Sequence, residues 1–483
     1  MRTKYFPQGA HMLKKFSYLF ISNLGLKFNS LIFSFIIAHW QGASFLGAMF
    51  IFLSVHSFGL VLAKLGLFYS LEKKLSEVNI DKNKYISSAF AINIALLAFL
   101  LLILIIFSPY LDSYIGINNA TVALGFSVLL GNFINFGYAI FKSNLQFELF
   151  SKLQFFRDFL FRALSIILLF YTSSIEVVLI SKVMVELILL IYTVIKVSKY
   201  NLSWSSPSKA IIKELIELLR YNSVLEIRTV TFNYIDIWMI NFFLGDFYVG
   251  LYQLVWQIST GVLIVGKALI GVTFPYFSRW SSEGKYDKIS KYTGFTIKLS
   301  LFMPLPTLFL SLTYSNEIMS FFGEEFIRAS IVLIILLFGS LFRPLQEITS
   351  KLLVSTGKAK ISYRISVFSG LLNIALNFIL ILLLHIEGAA LATTLSNIII
   401  ASISIFYIKK HSPIEFKAFK AVKSNVMASI IMLLTIYSLQ YFNFFWIVGS
   451  IIGLIMWLTV IMVIEKREGS ENVYDFITRS LRK

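Results

Sequence analysis

The sequence predicts an all-α polytopic membrane protein, and three observations carry that prediction. Of the 483 residues, 57% are hydrophobic and 14% charged, with a mean hydropathy of +0.79. A water-soluble chain of two to four domains would not have that balance. Apolar runs of about 20 residues recur along the whole chain, each long enough to cross a ~30 Å hydrocarbon layer. Lysines and arginines gather in every second connection between the runs, as cytoplasmic loops do. Lipid offers the backbone no water, so each run must satisfy its amides and carbonyls internally, as a helix.

In chain order, the spans fall near 16–38, 45–70, 86–107, 119–141, 153–171, 175–195, 222–244, 248–275, 292–313, 328–350, 361–384, 387–408, 424–440 and 445–464. The tail before the first holds Lys14 and Lys15, and the next connection, "HWQGAS", has no positive charge. "EKKLSEVNIDKNK" follows with Lys73, Lys74, Lys82 and Lys84, then "SPYLDSYIGINN" with none. The alternation continues through connections holding Lys142 and Lys152, Lys196 to Lys213, Arg279 to Lys291, Lys351 to Lys360, and Lys409 to Lys423. The last tail carries Lys466, Arg467, Arg479, Arg482 and Lys483. About fourteen spans in the cell (cytoplasmic) membrane, with both termini cytoplasmic, are expected.

Topology and attraction to anionic headgroups account for most of the net charge of +18, so no nucleic-acid partner is expected. Zero cysteines rule out disulfides and thiolate metal sites, and His11, His39, His56, His385 and His411 are scattered. No metal and no cofactor are expected. The run at 16–38 exceeds a signal-peptide core and lacks a small-residue cleavage site. Met12-Leu13-Lys14-Lys15 reads as a natural start, which sets residues 1–11 apart from functional reasoning. "GVLIVGKAL" (261–269) nearly spells a phosphate-binding loop, but Ala268 stands where the Mg²⁺-binding Ser or Thr belongs and the surroundings are apolar. The longest outer connection, "TYSNEIMSFFGEEF", is small for a polymerase or glycosyltransferase that must hold an acceptor. The chain is not expected to be an enzyme.

An internal echo is visible. Placing Gly42 on Gly245 also places Gly47 on Gly250, Lys64 on Lys267 and Ser70 on Thr273, at a constant offset of 203 residues. Spans one and two thus correspond to spans seven and eight, both starting from the cytoplasm, which makes the repeat parallel. The expected organisation is an N-lobe at 12–200 (helices 1–6) and a C-lobe at 210–411 (helices 7–12). Helices 13–14 at 420–465 and a cytoplasmic tail at 466–483 follow.

A charge near mid-bilayer costs about 2.5–3.5 kcal/mol on insertion scales. Three have an acid one helical turn away: Arg162 with Asp158, Lys182 with Glu186, Arg343 with Glu347. Lys27, Lys64, Arg228, Lys267 and Lys298 have no acid at that spacing. Arg228 and Lys298 lie within snorkelling reach of a helix end, and Lys64 is intermediate. Lys27 lies about eleven residues in, roughly 16 Å, and Lys267 about eight, roughly 12 Å. Both therefore need a watery or anion-holding cavity, or an acid from another helix, for which Asp236 is the obvious candidate. A phosphate suits a compact ammonium charge.

"FNYIDIWMINFFLGDFYVGLYQ", "PYFSRW" and "IEGAALATTLSN" resemble the corresponding stretches of Wzx-type polysaccharide flippases, in the multidrug/oligosaccharidyl-lipid/polysaccharide exporter superfamily. The resemblance implies two six-helix lobes around a central cavity plus two C-terminal helices. It implies that Lys27, Lys64, Arg228 and Lys267 line the cavity as substrate-binding cations, with Asp236 in an ion pair or coupling role. The implied substrate is a polyprenyl-(pyro)phosphate-linked oligosaccharide carried from the inner to the outer leaflet by alternating access. Membrane lipids, a polysaccharide polymerase and a chain-length regulator are the other implied partners. Related lipid II flippases hold the pyrophosphate with arginines, whereas the cations here are mainly lysines. A multidrug exporter of the same superfamily is the first rival, although it would have twelve spans and cavity carboxylates. A polymerase and a lipid scramblase are more distant ones.

Overall fold

A computed structural model describes residues 9–77, 80–200, 203, 205–415, 418–442 and 444–468. Every regular element among them is helical. The chain forms two compact units, Met1–Gly250 and Leu251–Lys483. The first holds α1 (Gly9–Lys64), α2 (Leu67–Leu75), α3 (Lys82–Ile106), α4 (Ser108–Ile115), α5 (Ala120–Ser143), α6 (Phe147–Leu169), α7 (Glu176–Ser198) and α8 (Lys209–Leu244). Helix α9 (Asp246–Gly261) crosses the boundary. The second holds α10 (Ile264–Ser282), α11 (Tyr286–Ser300), α12 (Pro304–Ser320), a 3₁₀ turn (Glu324–Ala329), α13 (Ser330–Ser340), α14 (Arg343–Ser355), α15 (Ala359–His411), α16 (Ala418–Tyr441) and α17 (Trp446–Glu468).

Among the described residues, nine helices are long and apolar enough to cross a membrane, ten if the pair α9 and α10, bent by 49°, counts as one. Two of these helices each contain two of the expected spans. In α1, Asn29 donates to Asp158 at 3.0 Å, while His56 lies 3.8 Å from Glu186, which also binds Arg157. Twenty-seven residues of straight helix would span about 40 Å, yet Asn29 reaches Asp158 of α6 while His56 reaches Glu186 of α7, the partner of the adjacent Arg157. The chain therefore turns back between them, at Gly42 (φ 80°, ψ −177°), a conformation open to glycine and strained for other residues. Gly245, 203 residues on, has φ 93° and ψ 177°, so the two repeats share this hinge.

The correspondence extends further. A methyl group on Gly47 would strike the carbonyl of Asp246, and one on Gly250 would strike the carbonyl of Ala43. Each contact is the other shifted by the repeat offset. The Ser70 hydroxyl bonds the Gly66 carbonyl as Thr273 bonds that of Leu269, and Ser57 bonds Leu53 as Thr260 bonds Trp256. In α15 the break is at His385 (φ 53°, ψ −130°). A side chain on Gly388 would meet the Leu380 carbonyl, so the chain reverses tightly here, and Ala389, Ala390 and Ala392 are fully buried behind it. That packing explains the small-residue run in "IEGAALATT".

Burial is arranged for lipid. On α7 the exposed face carries Ile180, Leu187, Ile191 and Ile195, while Ser181, Glu186 and Thr193 point inward. In water this distribution would be reversed. Within the first unit, Leu67, Leu71 and Leu75 of α2 pack on Phe136 and Ile140 of α5 and Leu215 of α8. Within the second, α16 and α17 pack on α12 through Met432, Ile436, Trp457 and Tyr314. The expected span at 153–171 lies on α6, where Arg157, Asp158 and Arg162 lower its apolarity; that at 222–244 lies on α8.

Helix α8 is tied to α2 at its basic end. Lys74 bonds Glu214 at 2.7 Å, and the Tyr85 hydroxyl donates to the same carboxylate at 2.6 Å. The hydrogen bond that Lys74 donates holds the Glu214 carboxyl below its usual range, and the same bond, accepted by Glu214, raises the Lys74 ammonium. A lowered carboxyl stabilises the fold above its unfolded value of about 4.3 and loses that contribution as pH falls through the folded value. Glu214→Gln should therefore lower the melting temperature slightly at pH 7, consistent with at most about 1 kcal/mol for a partly exposed pair, and by progressively less as pH falls below the unfolded value. The cysteine-free chain also permits a topology test. Cysteines at Asn118 and Ser173 should react with a membrane-impermeant maleimide in intact cells, and those at Ser282 and Ser412 only after permeabilisation.

Candidate functional site

A cluster of charges in the first unit is centred on Glu186, whose side chain is fully buried. Arg157 of α6 donates to both its carboxylate oxygens, at 2.6 and 2.7 Å. Lys182, one turn earlier on α7, lies 3.2 Å away, and His56 of α1 closes a further side at 3.8 Å. Gly131 of α5 makes room for the pair, because a methyl group there would lie 2.6 Å from the Glu186 carboxylate and 2.7 Å from the Arg157 guanidinium. One carboxylate thus gathers residues of α1, α6 and α7 under a gap in α5. Beside it, Asp158 accepts from Arg162 at 3.0 Å and from Asn29. Lys182 lies over the Phe161 ring and Arg162 over Phe33, which partly compensates cations withdrawn from water.

Against this cluster opens a cleft of about 270 Å³, lined by residues of α1, α2, α5, α6 and α8. Lys64 stands at its edge, bonded to Glu226 of α8 at 3.0 Å. The same carboxylate accepts the Gly66 amide at 3.0 Å, where the chain breaks between α1 and α2 with φ 78°. Glu226 thus satisfies an amide that the interrupted helix leaves without a helical partner.

The sequence-predicted residues are distributed as follows. Lys27, Lys64 and Asp236 belong to the first unit and Lys267 to the second. Lys27 and Lys267 are exposed and Asp236 is buried. Arg228 lies on α8, and its side chain falls outside the described residues. Lys64, which has no acid at helical spacing, has a carboxylate partner contributed by another helix, Glu226. Lys298, expected to snorkel, is buried at 8% exposure. The three local pairs form as expected, with Arg343 and Glu347 the loosest at 4.0 Å. Arg157, His56 and Glu226 were missed. A search at helical spacing sees one helix at a time, and these partners come from others.

A bundle of kinked apolar helices with a repeated hinge and charges gathered in its interior defines a membrane-transporter fold. The comparisons agree. The MatE family matches residues 224–379. A probable low-salt glycan biosynthesis flippase, Agl15, of Haloferax volcanii is 27% identical over 421 residues, covering 86% of this chain and 88% of that one. A probable flippase, AglR, of the same organism is 22% identical over 325 residues, covering 66% and 67%. Among solved structures, the lipid II flippase MurJ in an inward closed conformation superposes with a TM-score of 0.76 at 17% identity, covering 94% of this chain and 99% of that one. An inward-facing multidrug resistance MATE family transporter gives 0.61 at 14%, covering 80% and 94%. Residues 224–379 thus match the MatE family, and the fold is shared with these flippases and transporters.

The Glu186 cluster has a direct test. Glu186→Leu leaves Arg157 and Lys182 buried without their carboxylate and should cost about 3–5 kcal/mol, read as a fall in thermal stability and folded yield in detergent. The triple change of Arg157, Lys182 and Glu186 to Met should recover most of that loss.

Proposed function

We propose that the protein is a flippase that carries polyprenyl-(pyro)phosphate-linked oligosaccharide units from the inner to the outer leaflet for surface polysaccharide assembly. The observation that carries this reading is the likeness, along most of both chains, to a relative named as a glycan biosynthesis flippase. The better superposition on a lipid II flippase than on a multidrug transporter supports it.

In this reading, residues 12–200 and 210–411 are two lobes that alternately open a cavity to either side of the membrane, and the helices at 420–465 guide the prenyl chain. Lys27 and Lys267, exposed on helices of an otherwise apolar chain, neutralise the anchor phosphate, with Arg228 assisting. Lys64, paired with Glu226, lines the cavity as a further cation, and Asp236 serves as an ion-pair or coupling residue. Carriage makes and breaks no covalent bond. The protein works in the cell membrane with both termini cytoplasmic, alongside a polysaccharide polymerase and a chain-length regulator.

The MatE match favours a second reading, a multidrug exporter. Two measurements separate them. Lys27→Gln and Lys267→Gln should each abolish surface polysaccharide with membrane insertion unchanged; normal polysaccharide in both variants would remove these lysines from the mechanism. Membrane vesicles should fail to transport a cationic dye, and robust dye export would favour the second reading.

A further inference from the structure

The cleft beside Glu186 has a chemistry of its own. Its cations are already matched: Lys64 pairs with Glu226 at 3.0 Å, Lys142 with Glu72 at 3.7 Å, and Arg157 with Glu186 behind the wall at 2.6 Å. A phosphate entering here would have to break one of these pairs. A neutral ligand would not.

What the cleft leaves unmatched is hydrogen-bonding capacity. Tyr138 lines it and is only 5% exposed, yet its hydroxyl has no partner among the described residues. The Arg157 Nε is likewise buried and without a partner. An unmet buried donor costs about 1–3 kcal/mol, so these groups mark a place for a ligand rich in hydroxyls. Gln154 adds an amide that can donate and accept. Aromatic faces complete the lining. Tyr69 is 62% exposed and offers flat apolar surface to the C–H face of a sugar ring, while Phe150, packed edge-on with Tyr138 at 5.2 Å, backs the Tyr138 ring. The volume of about 270 Å³ falls just below the ~300–1,000 Å³ typical of small-molecule pockets, which suits one or two rings and not a whole repeat unit.

We infer that this cleft of the first unit is a sugar subsite. It recognises an uncharged sugar residue of the carried glycan through Tyr138, Gln154 and Arg157, separately from the lysines that hold the anchor phosphate. The inference rests on the flippase reading and adds to it which part of the substrate is read where.

The test compares polyprenyl phosphate with polyprenyl phosphate bearing one neutral hexose, each titrated onto the full-length protein in nanodiscs. The native protein should bind the glycosylated lipid about tenfold more tightly, because a site built around hydroxyl partners discriminates against a ligand that lacks them. Tyr138→Phe and Gln154→Leu should each erase most of that preference while binding sugar-free polyprenyl phosphate as the native protein does, which also reports that they are folded. Lys267→Gln should weaken both lipids equally. A tenfold preference that survives both cleft substitutions overturns the subsite. So does Lys142→Gln weakening the sugar-free lipid, since that assigns the cleft to phosphate. If neither lipid binds the native protein, the flippase reading itself fails.

Discussion

The first unit depends on a single carboxylate. Glu186 has no exposed surface, and its oxygens face a guanidinium, an ammonium and an imidazole carried on two other helices and its own. In hydrocarbon none of these groups can fall back on water, so each is tolerable only while the others stay in place. Such an arrangement adds little net stability compared with a well-packed apolar core. What it does is fix the relative positions of α1, α6 and α7, because any slip along a helix would separate the charges. The same arrangement fixes part of the wall of the adjoining cleft, because Arg157 is both a lining residue and the partner of Glu186.

The backbone obeys a parallel constraint. A membrane helix can reverse or break only where the liberated amides and carbonyls find other partners. Glu226 supplies one such partner at the break before α2. At Gly42 and Gly245 the solution is conformational, a positive φ that lets the chain turn within one residue. Where Gly388 approaches Leu380, it is the absence of a side chain that permits the turn.

Much of this was legible in the sequence, for identifiable reasons. The helices were readable because the bilayer demands long apolar runs and the loops carry an alternating charge bias. The repeat was readable from Gly42, Gly47, Lys64 and Ser70, and the glycines proved to be the positions where backbone geometry is most constrained. Pairs within one helix, such as Arg162 with Asp158, follow from the 3.6-residue period. Pairs between helices do not. Glu226 lies 162 residues from Lys64, and no local pattern connects them. For the same reason a charge that looks stranded along one helix can be well satisfied in the folded protein. Two spans expected in α1 appear as one helix because Gly42 turns the chain without a loop that composition could signal.

The reciprocal fit of Gly47 and Gly250 limits which residues either position can accept. Each bare α-carbon is the clearance for a carbonyl from the segment 203 residues away, Asp246 for Gly47 and Ala43 for Gly250. A side chain gained at either site is opposed by main chain, which has no rotamer through which to yield. A substitution at either position is thereby limited by the main chain of the other segment.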